Sequence, residues 1–300
     1  MIFGCSGLTL TPEEKDFFKE NQPLGFILFK RNIQDKPQVK ALVEELKATS
    51  NQLNPPILID QEGGRVARLT SPHWFHPPAS AALIGDSIED SRKNVHEAYT
   101  RISEDLNEIG ITVNCAPVLD LHIKGADPIM GDRTFSSDPY VVADLGATAI
   151  KAMQQKNIIP VMKHIPGHGA ATCDSHKDLP IVSLPLEQLK NHFLPFKLNA
   201  HCPWAMTAHI VYSAIDPNNP ATESYIVIQE IIRRELGFKG FLMSDDLDMG
   251  ALKGSLAERA QRSLEAGCDA VLQCSGKLQD MIQVMEGVLP FSPTLQKRAI

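Results

Sequence analysis

The chain has 300 residues, of which 43% are hydrophobic and 22% charged, and its formal net charge is −7. That length and apolar content suit a soluble globular chain with a sizeable core. The acidic balance argues against nucleic-acid backbone binding and against a polybasic membrane anchor, and no apolar run approaches the roughly 20 residues of a membrane span.

The opening stretch, MIFGCSGLTLTPEEK, carries neither the basic start nor the long apolar run of a signal peptide, which predicts a cytoplasmic protein. Strand-like and helix-like segments then alternate. A short apolar run at 24–29 is followed by a helical pattern at 36–53, with Pro37 suited to a first helical turn. A run at 56–60 precedes a helix at 94–110 that ends on Gly110, a natural C-cap. A run at 111–117 leads to a helix at 138–156, where Asp138 is the N-cap and Pro139 the first helical residue. The runs at 158–164, 204–210, 240–245 and 269–274 are separated by helical patterns at 184–199, 225–238 and 255–268. A closing helix beyond the last run is expected to be brief or absent.

This unbroken alternation predicts a parallel sheet. A single (β/α)8 TIM-type barrel over residues 1–300 fits best, with the first or last strand irregular. An open doubly wound sheet is the alternative, weakened because no GxGxxG follows a strand. The cysteines, Cys5, Cys115, Cys173, Cys202, Cys268 and Cys274, are scattered without a CxxC pair, as reduced structural thiols are.

In such a barrel the chemistry sits at the C-terminal ends of the strands. Unusual polar residues fall there repeatedly: Asp60, then the VLDLH stretch, then Lys163 and His164, then His209, then Asp245 and Asp246. The segment KHIPGHGAATCDSHKDLP, 163–180, admits three readings. His164, His168 and His176 could hold zinc, but their spacing across Pro166 and Gly167 fits no helix face and no strong metal motif. A polar loop whose histidines only cap neighbouring backbone groups is the second reading. The third is a proton-transfer pair: in an extended segment Asp174 and His176, two apart, point to the same side, and a carboxylate beside an imidazole fixes its tautomer. Pro and Gly around them would let the loop open and close over a substrate. Asp245, ending a strand, could serve as base, metal ligand or nucleophile, with a helix cap as the plainer role for its neighbours.

Four segments, IDQEGGRVARL, GDRTF, KHIPGHG followed by DSH, and IIRRELGFKGFLMSDDLDMGAL, stand in an order that resembles the family 3 glycoside hydrolases. The likeness is greatest to the bacterial β-N-acetylglucosaminidases of the NagZ type, and it covers nearly the whole chain. The resemblance implies that Asp245 is the nucleophile and that His176 is the general acid and then base, with Asp174 orienting it. It implies that Asp60, Arg68, Arg133, Lys163 and His164 bind the sugar. His209, Asp120, His122 and Trp204 are expected behind the site or in the core, and His168, Lys177 and Asp178 to shape the loop.

The expected reaction is retaining release of terminal β-linked N-acetylglucosamine, in the cytoplasm, from anhydro-muropeptides during peptidoglycan recycling. The expected ligand is a small carbohydrate. No cofactor, metal, nucleic acid or membrane is expected to take part, and the protein is expected to be a monomer. Three alternatives stay open: phosphorolysis by the same groups, a non-catalytic sugar-binding barrel, and a metal-dependent hydrolase.

Overall fold

The computed structural model describes residues 1–171 and 173–288. Eight parallel strands close into a barrel in chain order: β1 (Ile2–Gly4), β2 (Gly25–Leu28), β3 (Ile57–Ile59), β4 (Val113–Asn114), β5 (Ile159–Ile165), β6 (Trp204–Thr207), β7 (Phe241–Asp246) and β8 (Ala270–Gln273). Closure is made by β1, which pairs with both ends of the sheet: Ile2 lies opposite Leu272 on one side and Gly25 on the other.

The intervening helices are α1 (Pro12–Asn21), α2 (Lys36–Lys47), α3 (Ile88–Glu108), α4 (Pro139–Gln155), α5 (Leu186–Leu198), α6 (Val227–Glu235), α7 (Leu256–Ala266) and α8 (Leu278–Glu286). Their starts follow local chemistry. Asp35, Ser87, Asp138 and Ser255 each accept a backbone N–H in the first turn, and Thr11 with Glu14 forms a reciprocal capping box. Helix α6 is wound in π fashion, and its end is closed by the Leu236 N–H bonding the Ile231 carbonyl at 2.9 Å.

Strand alternation separates two cores. Ile2, Ile27, Leu58, Val113, Val161, Phe241 and Leu272 form the inner cluster, with the Trp204 and Phe241 rings 4.4 Å apart. The alternate residues, such as Phe3, Phe26, Ile57 and Leu242, join the larger cluster with the helices. The barrel is therefore plugged from within, and polar groups gather above the plug.

The predicted (β/α)8 barrel is the observed fold. The first strand was not among the runs read from sequence, because only three residues separate Met1 from Cys5. Helix α1 was also unread, α3 begins at Ile88 rather than 94, and the run at 111–117 holds only a two-residue strand. The closing helix is present as α8, while the chain's last residues, 289–300, lie outside the described residues, as does Thr172. Among the described residues no helix is long and apolar enough to cross a membrane.

Candidate active site

A cavity of about 260 Å³ opens at the C-terminal mouth of the barrel, at the small end of ligand-sized cavities. Its walls include all five predicted sugar-binding residues together with Asp245 and His176.

One side is a chain of alternating charges. Asp60, just past β3, receives Lys163 Nζ at 2.9 Å on one oxygen and Arg68 Nη2 at 3.1 Å on the other. Lys163 Nζ also reaches Glu62 Oε1 at 2.7 Å, and Arg133 grips Glu62 through Nε and Nη2, both at 2.8 Å. Glu62 sits in a small antiparallel ribbon, Gln61–Gly63 against Val66–Ala67, that stands on the end of β3. Burial would push the Glu62 carboxyl up, but Arg133 and Lys163 outweigh it and hold it at about 2. Burial opposes ionisation of Asp60 too, and Lys163 and Arg68 hold its carboxyl well below the usual range. The Arg68 guanidinium also lies over the Phe29 ring, 5.4 Å from its centre.

His164, near the end of β5, is oriented from behind. Its Nδ1 lies 2.7 Å from Asp120 Oδ2, and that carboxylate also accepts the His164 and His168 backbone N–H groups. A carboxylate on Nδ1 places the proton there and turns Nε2 outward. Burial would raise the Asp120 carboxyl, yet its hydrogen bond and charge interaction with His164 lower it.

Asp245 stands near the end of β7, accepting the Asp246 backbone N–H at 2.8 Å. Burial disfavours its charge, but the imidazoles of His164 and His209 and that N–H hold its carboxyl below the ordinary value, so it is an anion at neutral pH. Its neighbour behaves oppositely. Burial and the Asp248 carboxylate push Asp246 up to about 7. His209 stands behind this pair, bridging Thr222 Oγ1 at 2.7 Å and the Asp246 carbonyl at 2.9 Å.

His176 and Asp174 are joined on the loop after β5, with Nδ1 2.8 Å from Asp174 Oδ1. The extended geometry expected from sequence is not what unites them. The chain turns here: Lys177 and Asp178 N–H groups bond the Asp174 carbonyl, and the Asp174 carboxylate accepts the His176 N–H at 3.0 Å. This is an Asx-type turn, which Asp favours because its short side chain reaches the backbone two residues on. The His176 side chain is 60% exposed. The loop rests on the turn after β7, where Gly250 and Ala251 N–H groups donate to the His176 and Ser175 carbonyls. Gly250 is required there, because a Cβ would lie 2.7 Å from the Lys177 oxygen and 3.0 Å from the His176 oxygen.

The structure therefore brings Asp60, Arg68, Arg133, Lys163, His164, His176 and Asp245 to one cavity, with Asp174 behind His176. Sequence reasoning missed Glu62, whose signal was its i, i+2 relation to Asp60 at a strand end. It also left His168 as a loop-shaping residue, whereas His168 is 2% exposed and lines the cavity. Arg133, read as a direct sugar ligand, spends two donors on Glu62. Among the described residues no group of three His, Cys, Asp or Glu side chains is placed to hold a metal.

An anionic carboxylate on a barrel strand, an Asp-paired imidazole facing the same cavity, and a wall of hydrogen-bonding charges define a barrel hydrolase for polyhydroxylated substrates. Residues 7–292 match the glycosyl hydrolase family 3 N-terminal domain, and the chain belongs to that family. A β-hexosaminidase from Alkalilimnicola ehrlichii is 37% identical over 284 residues, covering 92% of this chain and 80% of the relative. NagZ from Neisseria gonorrhoeae superposes with a TM-score of 0.90 at 33% identity, over 100% of this chain and 88% of that one. It has also been solved with N-trifluoroacetyl-D-glucosamine. A family 3 β-N-acetylglucosaminidase from a Paenibacillus strain gives a TM-score of 0.92 at 30% identity, covering 99% of this chain and 59% of that longer one.

Proposed function

We propose that this family 3 glycoside hydrolase, a β-hexosaminidase, is a retaining exo-β-N-acetylglucosaminidase. The observation that carries the reading is the pairing, across one cavity, of the ionised Asp245 carboxylate on β7 with the Asp174-held His176 imidazole. Asp245 attacks the anomeric carbon. His176 gives its proton to the departing glycosidic oxygen, so the leaving group exits as an alcohol. Water then attacks the glycosyl-enzyme ester as His176 takes one of its protons, and the sugar leaves with its original anomeric configuration.

An imidazole in place of the more usual second carboxyl suits this duty, because the ring nitrogen that Asp174 leaves free can both give and take a proton. Asp60 and its bound cations present oriented acceptors and donors to neighbouring hydroxyls. The small cavity suits one terminal sugar, and the relative solved with an N-acylated glucosamine supports a 2-acylamino group on it. The substrate is proposed to be an anhydro-muropeptide of cytoplasmic peptidoglycan recycling, handled by a monomeric enzyme.

The test is hydrolysis of a chromogenic β-N-acetylglucosaminide by wild type, Asp245→Asn and His176→Ala. A slow fluorinated 2-acetamido sugar with a good leaving group should label the peptide containing Asp245. Full activity of Asp245→Asn, or labelling elsewhere, refutes the nucleophile. A wild-type preference for glucosides refutes the substrate.

A further inference from the structure

Loops that carry a catalytic group must be seated accurately, because a misplacement of about 1 Å can cost on the order of 100-fold in rate. Among the described residues, two sets of bonds hold the Asp174–His176 loop. The first is the pair of main-chain bonds from Gly250 and Ala251 to the His176 and Ser175 carbonyls, 3.1 and 3.2 Å long. The second is a side-chain bond inside the molecule. His168 Nε2 lies 3.0 Å from Ser175 Oγ, and both residues are buried.

His168 is itself fixed. Its backbone N–H donates to Asp120, the same carboxylate that orients His164. The next residue, Gly169, is pressed against the main chain of Leu121, where a Cβ would lie 2.3 Å from the Leu121 oxygen. The other ring nitrogen, Nδ1, is buried with no hydrogen-bond partner among the described residues. A buried unpaired nitrogen costs free energy, so an apolar ring would be the more economical filler if packing were the only role. Ser175 is flanked by the two residues of the proton-transfer pair. Burial also lowers the His168 pKa to about 4, so the ring is neutral at working pH and makes no charge claim on the loop.

We propose that His168 is a positioning residue for the proton-transfer step: its buried imidazole clasps Ser175 and so seats the Asp174–His176 pair over the cavity. Asp120 thereby organises both halves of the site, the sugar-facing His164 ring directly and the loop through the His168 backbone. The proposal rests on the reading of His176 as acid and base.

The test uses Ser175→Ala, His168→Phe and Ser175→Thr with aryl β-N-acetylglucosaminides of graded leaving-group acidity. An acidic phenol departs without protonation, whereas a weakly acidic one needs the proton from His176. A well-placed general acid contributes roughly 10²–10⁴-fold. Ser175→Ala and His168→Phe should lose about tenfold or more in kcat/KM on the least acidic leaving group, out of that range, and far less on the most acidic. Ser175→Thr, which keeps the hydroxyl, should restore most of the loss. In parallel, hydrogen exchange at the Gly250 and Ala251 amides should accelerate in Ser175→Ala, since those N–H groups bond the seated loop. Equal loss on every leaving group, or no loss at all, overturns the proposal whatever the exchange shows. If His176→Ala itself proved insensitive to leaving group, the acid–base reading would fail. Unchanged exchange in Ser175→Ala would separately show that the clasp does not hold the loop.

Discussion

Replacing Glu62 by Gln tests whether the charge chain at the barrel mouth is a structural necessity. Glu62 is 2% exposed and is, among the described residues, the sole carboxylate partner of Arg133, itself 9% exposed, while also holding Lys163. The substitution removes the negative charge between two buried cations and leaves Arg133 without a carboxylate. Breaking a buried pair in this way costs about 3–5 kcal/mol. A second route gives a similar size. Burial would raise the Glu62 carboxyl, but Arg133 and Lys163 carry it from 4.5 down to about 2, which corresponds to about 3 kcal/mol of folding stability at neutral pH. The sign follows from a depressed carboxyl: the contribution is fully present above pH 4.5 and fades as pH falls toward 2. At roughly 2–4 °C per kcal/mol for a chain of this size, Tm at pH 7 should fall by roughly 10 °C. Thermal melts of both proteins between pH 7 and pH 3 provide the assay, with the gap narrowing below pH 4.5. A loss under about 2 °C at pH 7, or a gap constant through the acid range, would refute the reasoning.

Gly250→Ala should displace the His176 loop, because the new methyl meets the Lys177 and His176 carbonyls; kcat should fall about tenfold or more while Tm changes little, read by paired kinetics and melting. Asp120→Asn should release the His164 tautomer and raise KM for the sugar by about tenfold, comparable with losses on removing a carboxylate behind a ligating imidazole. Asp246→Asn tests a carboxyl pushed up to about 7 by burial and Asp248. A raised carboxyl makes the wild type lose stability as pH climbs from about 4 to 7, so the neutral variant should melt several degrees higher at pH 8 and show little such gain at pH 4, measured by calorimetry.

Much of this architecture was legible because the barrel repeats one local rule. Short apolar runs bounded by Gly and Pro gave the strands, and Asp138-Pro139 and Gly110 marked helix boundaries by their own backbone preferences. The first strand was not legible, since Ile2–Gly4 owes its conformation to neighbours 23 and 270 positions away rather than to any pattern of its own. The same holds for the site. Asp245, Lys163 and His164 were visible as polar residues ending apolar runs. The contact of Asp174 with His176 was anticipated, but its turn was not, because a two-residue spacing fits an Asx turn as well as a strand. Glu62 escaped notice because its partners, Arg133 and Lys163, come from distant segments. The buried role of His168 could be learned only from Ser175 and Asp120 closing around it.

The carboxylate of Asp245 belongs to a barrel strand, while the imidazole of His176 belongs to a turn resting on its neighbour through main-chain contacts. On the proposed assignment, the group that bonds the sugar and the group that moves the proton therefore come from different segments of the chain. On that assignment, substitutions at the exposed positions of the segment from Cys173 to Leu179 should alter the proton-transfer step more than binding of the sugar ring. The two duties would thus answer to substitutions made in different parts of the sequence.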